Sequence, residues 1–168
     1  MLIRDERETD HAAVHAVNAA AFPTPLEADL VDALRRQAHP LISLVAESNG
    51  TILGHILFSP VTLDGRPDLR LMGLAPMAVT PEHQSTGIGS ALVRAGLAAC
   101  KEHGFSAVVV LGHPEYYPRF GFAPAVRWGL RSEYDVPDEV FMALELVPGA
   151  LRDATGTIKY HEAFGSVA

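Results

Sequence analysis

Between Val79 and Ser90 the chain reads Val-Thr-Pro-Glu-His-Gln-Ser-Thr-Gly-Ile-Gly-Ser, where an apolar run gives way to a helical one. The first backbone N–H groups of a helix have no partner inside it. They also lie at the positive end of the helix dipole, so a helix that starts from a short polar turn is a natural anion site. Gly87 and Gly89 allow an oxyanion to approach the main chain with no Cβ in the way. A hydroxyl from Thr86 or Ser90 can add a further donor. The residues Gln84, Ser85, Thr86, Gly87, Ile88, Gly89 and Ser90 together suit the cradling of a pyrophosphate.

The details of this turn discriminate among glycine-rich loops. A P-loop needs a lysine followed by Ser or Thr after its second glycine, and no such lysine stands here. A dinucleotide fingerprint would need glycine at position 92, which is Leu92, and it usually opens its domain. What remains is Gln/Arg-x-x-Gly-x-Gly/Ala, met by Gln84, Gly87 and Gly89. Downstream, Tyr117-Pro118-Arg119-Phe120-Gly121-Phe122 sets a tyrosine four residues before Gly-Phe. With both motifs in this order, the sequence resembles the GNAT superfamily of N-acetyltransferases over roughly residues 1–147.

That resemblance implies acetyl-CoA as the acyl donor, with no metal. It implies a GNAT-like α/β fold: a mixed, mostly antiparallel central sheet with one splayed parallel strand pair and helices on both faces. The donor would lie in the gap between Met77-Ala78-Val79 and Val109-Val110-Leu111, its pantetheine arm pairing with the backbone of residues 77–79 like an added strand. Pro76 lacks a ladder donor, in keeping with distortion there. A freed N–H at Met77 or Ala78 would polarise the thioester carbonyl. Tyr117 is the expected donor to the departing CoA thiolate, with Tyr116 as the neighbour able to replace it. A phenol near ~10 is a weaker acid than a thiol near ~8.5, so hydrogen-bond donation rather than full proton transfer is the natural role.

The acceptor side is less clearly written. An alkylamine of pKa ~10.4 must lose a proton before it attacks. Many relatives place a glutamate on the strand before the pyrophosphate turn, yet Leu69–Val79 holds no acidic residue. His113, which can titrate in the useful range, is the first candidate base, with Glu115 and His55 behind it. An acceptor of low amine pKa needs no protein base. Phe22, Leu26, Trp128 and Tyr134 are candidates for lining an acceptor pocket, and equally for core packing.

These groups must be held by ordinary elements. Leu2-Ile3-Arg4 reads as a strand, and Thr9-Asp10 as the cap of a helix with Ala13, Val14, Val17 and Ala21 on one face. Thr24-Pro25-Leu26-Glu27 has the composition of a capping box for a second helix that stops before His39-Pro40. Leu41–Ala46 and Thr51–Phe58 flank Asn49-Gly50 as a hairpin. Leu69–Val79, a helix over Ser90–Glu102 ending at Gly104, and Phe105–Leu111 predict a strand–helix–strand unit with parallel strands and a right-handed crossover. A helical turn near Glu115–Arg119 and a strand over Phe141–Val147, with an exposed edge open to pairing, complete the order.

Composition narrows the function classes. The 168 residues suit one domain, 1–168, with a core over about 1–147 and a tail, 148–168, packing through Ile158, Tyr160 and Phe164. A net charge of −7 argues against nucleic acid as the partner. No apolar run approaches the ~20 residues of a membrane span, the N-terminus lacks a signal core, and the lone Cys100 reads as a packed residue. A cytoplasmic setting, no membrane partner and an amine acceptor, small molecule or protein, are the expectations; a homodimer is compatible. A CoA-binding sensor or an interaction domain without transferase activity is the alternative.

Overall fold

The computed structural model describes residues 1–166; Val167 and Ala168, the end of the expected tail, lie outside the described residues. In chain order the elements are β1 (Leu2–Asp5), α1 (His11–Ala21), α2 (Leu26–Gln37), β2 (Ile42–Ser48), β3 (Thr51–Leu63) and β4 (Leu71–Val79). They continue with α3 (Ile88–Glu102), β5 (Ala107–Leu111), β6 (Ala123–Pro124), β7 (Leu130–Ser132), β8 (Phe141–Glu145) and β9 (Gly156–Lys159). Strands β1-β2-β3-β4-β5-β8-β6 are hydrogen-bonded neighbours in that order, and β9 pairs with both β3 and β7. The fold is mixed α/β with a mostly antiparallel sheet, as expected. No helix among the described residues is long and apolar enough to cross a membrane.

The chain divides into two compact units. The first comprises Met1–Ser59, Ala75–Gly96 and the C-terminal residues from Glu162; the second comprises Pro60–Leu74 and Leu97–His161. In the first, β1 runs antiparallel to β2 from Leu2↔Glu47 to Asp5↔Leu44, and β2 to β3 from Ile42↔Phe58 to Ser48↔Thr51. The hairpin turns on Asn49 (φ 51°) and Gly50 (φ 79°), the paired left-handed conformation that Asn-Gly tolerates best. Helices α1 and α2 bury Val14, Val17, Leu30, Val31 and Leu34, the stripe their spacing predicts. A 3₁₀ turn over Glu162–Ser166 packs against α2 and buries Phe164.

Both predicted helix caps are built differently from expectation. Asp10 stands at the cap of α1, but its carboxylate turns back to accept Arg7 N–H at 2.7 Å and to hold Arg4 at 2.7 and 3.0 Å. The Thr24–Glu27 box does not form. The helix starts one residue later than expected: with Pro25 at the cap, Glu27 is the second helical residue rather than the third, while the Thr24 hydroxyl accepts a long 3.4 Å bond from Leu26 N–H.

In the second unit, β4 and β5 are parallel through Leu71↔Ala107, Met72↔Val108 and Gly73↔Val109. Val108, Val109 and Val110 are buried, in keeping with a strand covered on both faces. Strand β8 pairs with β5 from Ala107↔Glu145 to Leu111↔Phe141, and with β6 at Ala123↔Ala143 and Pro124↔Met142. The exposed edge expected at 141–147 is therefore covered at Met142 and Ala143, because the loop after Phe122 returns to pair there. The tail contributes β9, which lies antiparallel to β3 (Leu63↔Ile158) and parallel to β7 (Leu130↔Gly156), a second parallel pair that the sequence does not announce. Ile158 joins Val61, Leu63, Leu71, Val109, Phe141 and Leu151 in this unit's core. Cys100 on α3 is fully buried, and burial pushes its thiol up to about 12, so it packs as an apolar residue.

Candidate functional site

The turn at 84–90 belongs to the first unit. After Val79, Thr80 N–H donates to Leu53 O at 2.9 Å, and residues 81–83 form a single 3₁₀ turn. Three side chains are engaged within the turn itself. Gln84 Nε2 donates to Val79 O at 3.1 Å, the Thr80 hydroxyl meets His83 Nδ1 at 2.9 Å, and the Thr86 hydroxyl donates to His83 O. Ser85 (φ 62°) and Gly87 (φ 91°) both adopt the left-handed conformation, which serine populates at a cost of about 1–2 kcal/mol. Strain of this kind is characteristic of ligand-gripping loops.

The outcome is a run of unpaired donors. Ala91 N–H donates to Gly87 O at 3.0 Å, the first bond of α3. None of the five backbone N–H groups from Ser85 to Gly89 finds an acceptor among the described residues. A Cβ built on Gly87 would meet nothing within 4 Å, so the main chain there faces open space. Donors lacking partners, at the positive end of a 15-residue helix, fit a doubly charged pyrophosphate. Close packing behind the turn fixes its height: a Cβ at Gly54 would lie 3.0 Å from Ile88 and Leu92 and 3.2 Å from Ala78 O. Ala78 is buried, with Met77 and Val79 half-buried on either side.

The tyrosine candidates lie in the second unit, on the loop that follows β5. His113 O accepts from Tyr116 N–H at 3.1 Å and Tyr117 N–H at 3.4 Å, and a 3₁₀ turn over Tyr117–Phe120 ends at Gly121 (φ 102°). Tyr117 is 8% exposed, with its ring at 5.1 Å and 89° to Tyr116 and 5.7 Å and 79° to Phe122. These are favourable edge-to-face contacts. Its hydroxyl makes no hydrogen bond to any described residue. Burial foremost, and the neighbouring Tyr116 second, push the phenol up to about 12. Set against a thiol near ~8.5, complete proton transfer is uphill by roughly 5 kcal/mol. Such a group stays protonated at every working pH, and the chemistry open to it is hydrogen-bond donation.

The candidate bases have contrasting surroundings. His113 and Glu115 are exposed and line an open depression of about 460 Å³ with Pro114, Tyr116 and Arg119, whose guanidinium lies 4.5 Å over the Tyr116 ring. His55 is fully buried and engaged at both ring nitrogens: Asn18 Nδ2 lies 3.1 Å from Nδ1, and Ser43 Oγ lies 2.9 Å from Nε2. The Ser43 hydroxyl donates to Glu6 at 3.1 Å, and Glu6 pairs with Arg35 at 2.7 Å. Burial, and then Arg35, hold the imidazole down at about 3, so it stays neutral. It has no open face to an acceptor, which corrects its candidacy as a base, and this buried chain of polar groups carries no local sequence signal because its members are scattered from Glu6 to His55. Of the candidate acceptor-pocket residues, Tyr134 lines a cavity of about 260 Å³ with Leu130, Glu133, Asp138 and Phe141, whereas Trp128 packs against the second unit's core. Phe22 is half-buried and Leu26 is 42% exposed in the first unit.

A profile of the acetyltransferase (GNAT) family matches residues 9–122. The chain belongs to the GNAT family of acetyltransferases. An uncharacterized N-acetyltransferase of this kind, YhbS of Escherichia coli K12, is 38% identical over 165 residues, 98% of both chains. A crystal structure of E. coli YhbS in complex with CoA superposes with a TM-score of 0.92 at 36% identity, covering 98% of this chain and 91% of that one. A GNAT acetyltransferase from Brucella melitensis, in complex with acetyl-CoA, gives a TM-score of 0.78 at 37% identity over 97% of each chain. The chain is thus an acyltransferase by family. The family profile takes in both the Gln84–Gly89 turn and Tyr117.

Proposed function

We propose that this GNAT protein binds acetyl-CoA through the Ser85–Gly89 turn and moves its acetyl group directly to the primary amine of a small molecule or protein. The observation that carries the reading is the row of five N–H groups without acceptors at the start of α3, beside an open Gly87. Relatives of 36% and 37% identity bind CoA and acetyl-CoA, which supports the same ligand here. On this reading Met77, Ala78 and Val79 hold the pantetheine arm by their backbone, while Gln84 and Ser90 complete the turn.

The chemistry balances simply. The neutral amine attacks the thioester carbonyl carbon, and a backbone N–H at Met77 or Ala78 steadies the developing oxyanion. The C–S bond then breaks, and the Tyr117 hydroxyl donates a hydrogen bond to the departing thiolate. The amine proton passes to His113 or to water, with Glu115 as the second choice. Tyr117 suits its part because its hydroxyl is held by ring packing alone and is not drawn away by another acceptor. Replacing it by phenylalanine keeps those ring contacts and removes one donor to a charged group, worth about 1.5–3 kcal/mol, or roughly 10- to 150-fold in turnover. CoA affinity should hardly change.

The deciding experiment titrates the protein with acetyl-CoA and then monitors free CoA thiol across a panel of amines. Saturable binding with turnover on at least one amine is the expected result. Binding without turnover would favour a CoA-responsive sensor, a reading to which the absence of any acid on Leu71–Val79 lends some weight. No binding of CoA would overturn the proposal. The whole chain is taken as one acetyltransferase domain, acting in the cytoplasm.

A further inference from the structure

Gly112 follows the last residue of β5 and lies against the ring of Tyr117. Its φ is outside the left-handed region, so the backbone there would accept any L-residue. The space would not. A Cβ at this position would stand 2.3 Å from Tyr117 Cε2, 2.8 Å from Cδ2 and 3.3 Å from Cζ, and these are the three nearest atoms it would meet. The restriction to glycine at 112 thus comes from one side chain.

Neither partner can yield easily. Gly112 N–H donates to Val140 O at 3.0 Å, and the preceding Leu111 is paired with Phe141, so the strand end is pinned to β8. The ring is held on other sides by Tyr116 at 5.1 Å, Phe122 at 5.7 Å and Phe120 at 6.3 Å. The main chain of residue 112 is the flat wall that completes this aromatic box. A side chain at 112 would press on the ring edge at Cε2 and Cδ2, and a shift of the ring would carry the hydroxyl with it.

We infer that Gly112 is a positioning residue for the acyl-transfer step: its missing side chain sets where the Tyr117 hydroxyl lies. The inference rests on the role proposed for Tyr117. It assigns no contact of Gly112 with donor or acceptor. A displacement of about 1 Å in a group that must meet a developing charge is enough to lose about 100-fold in rate.

The test is a pair of double-mutant cycles. In kinetics, Gly112→Ala should lower kcat at least tenfold while the KM for acetyl-CoA stays within about twofold, and Gly112→Ala/Tyr117→Phe should be no slower than Tyr117→Phe alone, since coupled residues do not add. In stability, Gly112→Ala should lower the thermal midpoint in the wild-type chain but not in a Tyr117→Ala background, where the ring is gone. The second cycle serves even where Gly112→Ala alone does not fold, because Gly112→Ala/Tyr117→Ala then must. Wild-type kcat in Gly112→Ala, multiplicative rate losses, or equal destabilisation in both backgrounds would each overturn the inference. An unaltered Tyr117→Phe enzyme would instead remove the underlying role of Tyr117, and the stability cycle would still report whether the contact exists.

Discussion

Substituting Gly87 by alanine separates the folding of the turn from the anion grip proposed for it. At φ 91° an alanine is strained, at a cost of about 1–2 kcal/mol. No protein atom lies within 4 Å of the new methyl, so no steric cost is added in the free protein. For a chain of this size each kcal/mol is worth roughly 2–4 °C in the thermal midpoint, and a fall of a few degrees is expected. The methyl instead occupies the space from which a phosphate would approach Gly87 and Ile88. Displacing one charge-assisted hydrogen bond costs about 1.5–3 kcal/mol, so the Kd for CoA should rise roughly 10- to 150-fold. Calorimetric titration with CoA measures this directly. A control comes from an acetylated pantetheine thioester, which lacks the pyrophosphate: its kcat/KM should be the same in both proteins. A CoA affinity within twofold of wild type, or an equal loss with the truncated donor, would refute the assignment of the pyrophosphate to these N–H groups.

Other expectations concern the scaffold. His55 is neutral in the fold, with its pKa near 3 against 6.5 when unfolded, so stability is complete above about pH 6.5 and declines as the pH falls toward 3. From pH 7 to pH 5 the loss from this group is about 2 kcal/mol, and urea unfolding of His55→Gln should show that part of the slope removed; an unchanged slope would contradict it. Gly96→Ala puts a methyl 2.2 Å from the Phe58 ring, an overpacking cost of about 1–3 kcal/mol that outweighs the gain in helix propensity; equal or higher stability by urea titration would show that the core yields there. Removing residues 156–168 should abolish cooperative unfolding, because it takes away β9 and the buried Ile158 and Phe164; a sharp transition at the original midpoint would prove the tail dispensable.

The legibility of the chain follows the range of the interactions. Local signals are legible. Asn49-Gly50 made its hairpin, Gly104 (φ 84°) closed α3, and the apolar stripes of α1 and α2 became buried faces. The turn at 84–89 was legible because its signature is short and depends on glycine. The capping box at 24–27 fails by register: the helix is capped at Pro25, one residue later than Thr24, which puts Glu27 out of the third position. Strand β9 looks in sequence like no more than a packing tail, since four residues of mixed polarity carry no periodic signal and gain their partners from β3 and β7, remote in sequence. The Gly112–Tyr117 contact lay hidden for the same reason as the His55 chain: a glycine that makes room for a ring looks no different in sequence from one that makes a turn.

The engagement of side chains within the turn has a practical consequence for anyone who wishes to alter donor recognition. Gln84 and Thr86 are engaged with the main chain and Thr80 with the His83 ring, whereas the N–H groups of residues 85–89 have no acceptor among the described residues. Side-chain replacement therefore edits the wrong atoms. The informative change is in the polymer itself: an ester in place of one amide, introduced by semisynthesis at position 87 or 88, deletes a single N–H while leaving shape and sequence almost intact. If this loop holds the donor as proposed, its specificity is set by the backbone's torsion angles, and the genetic code reaches it through the placement of glycine.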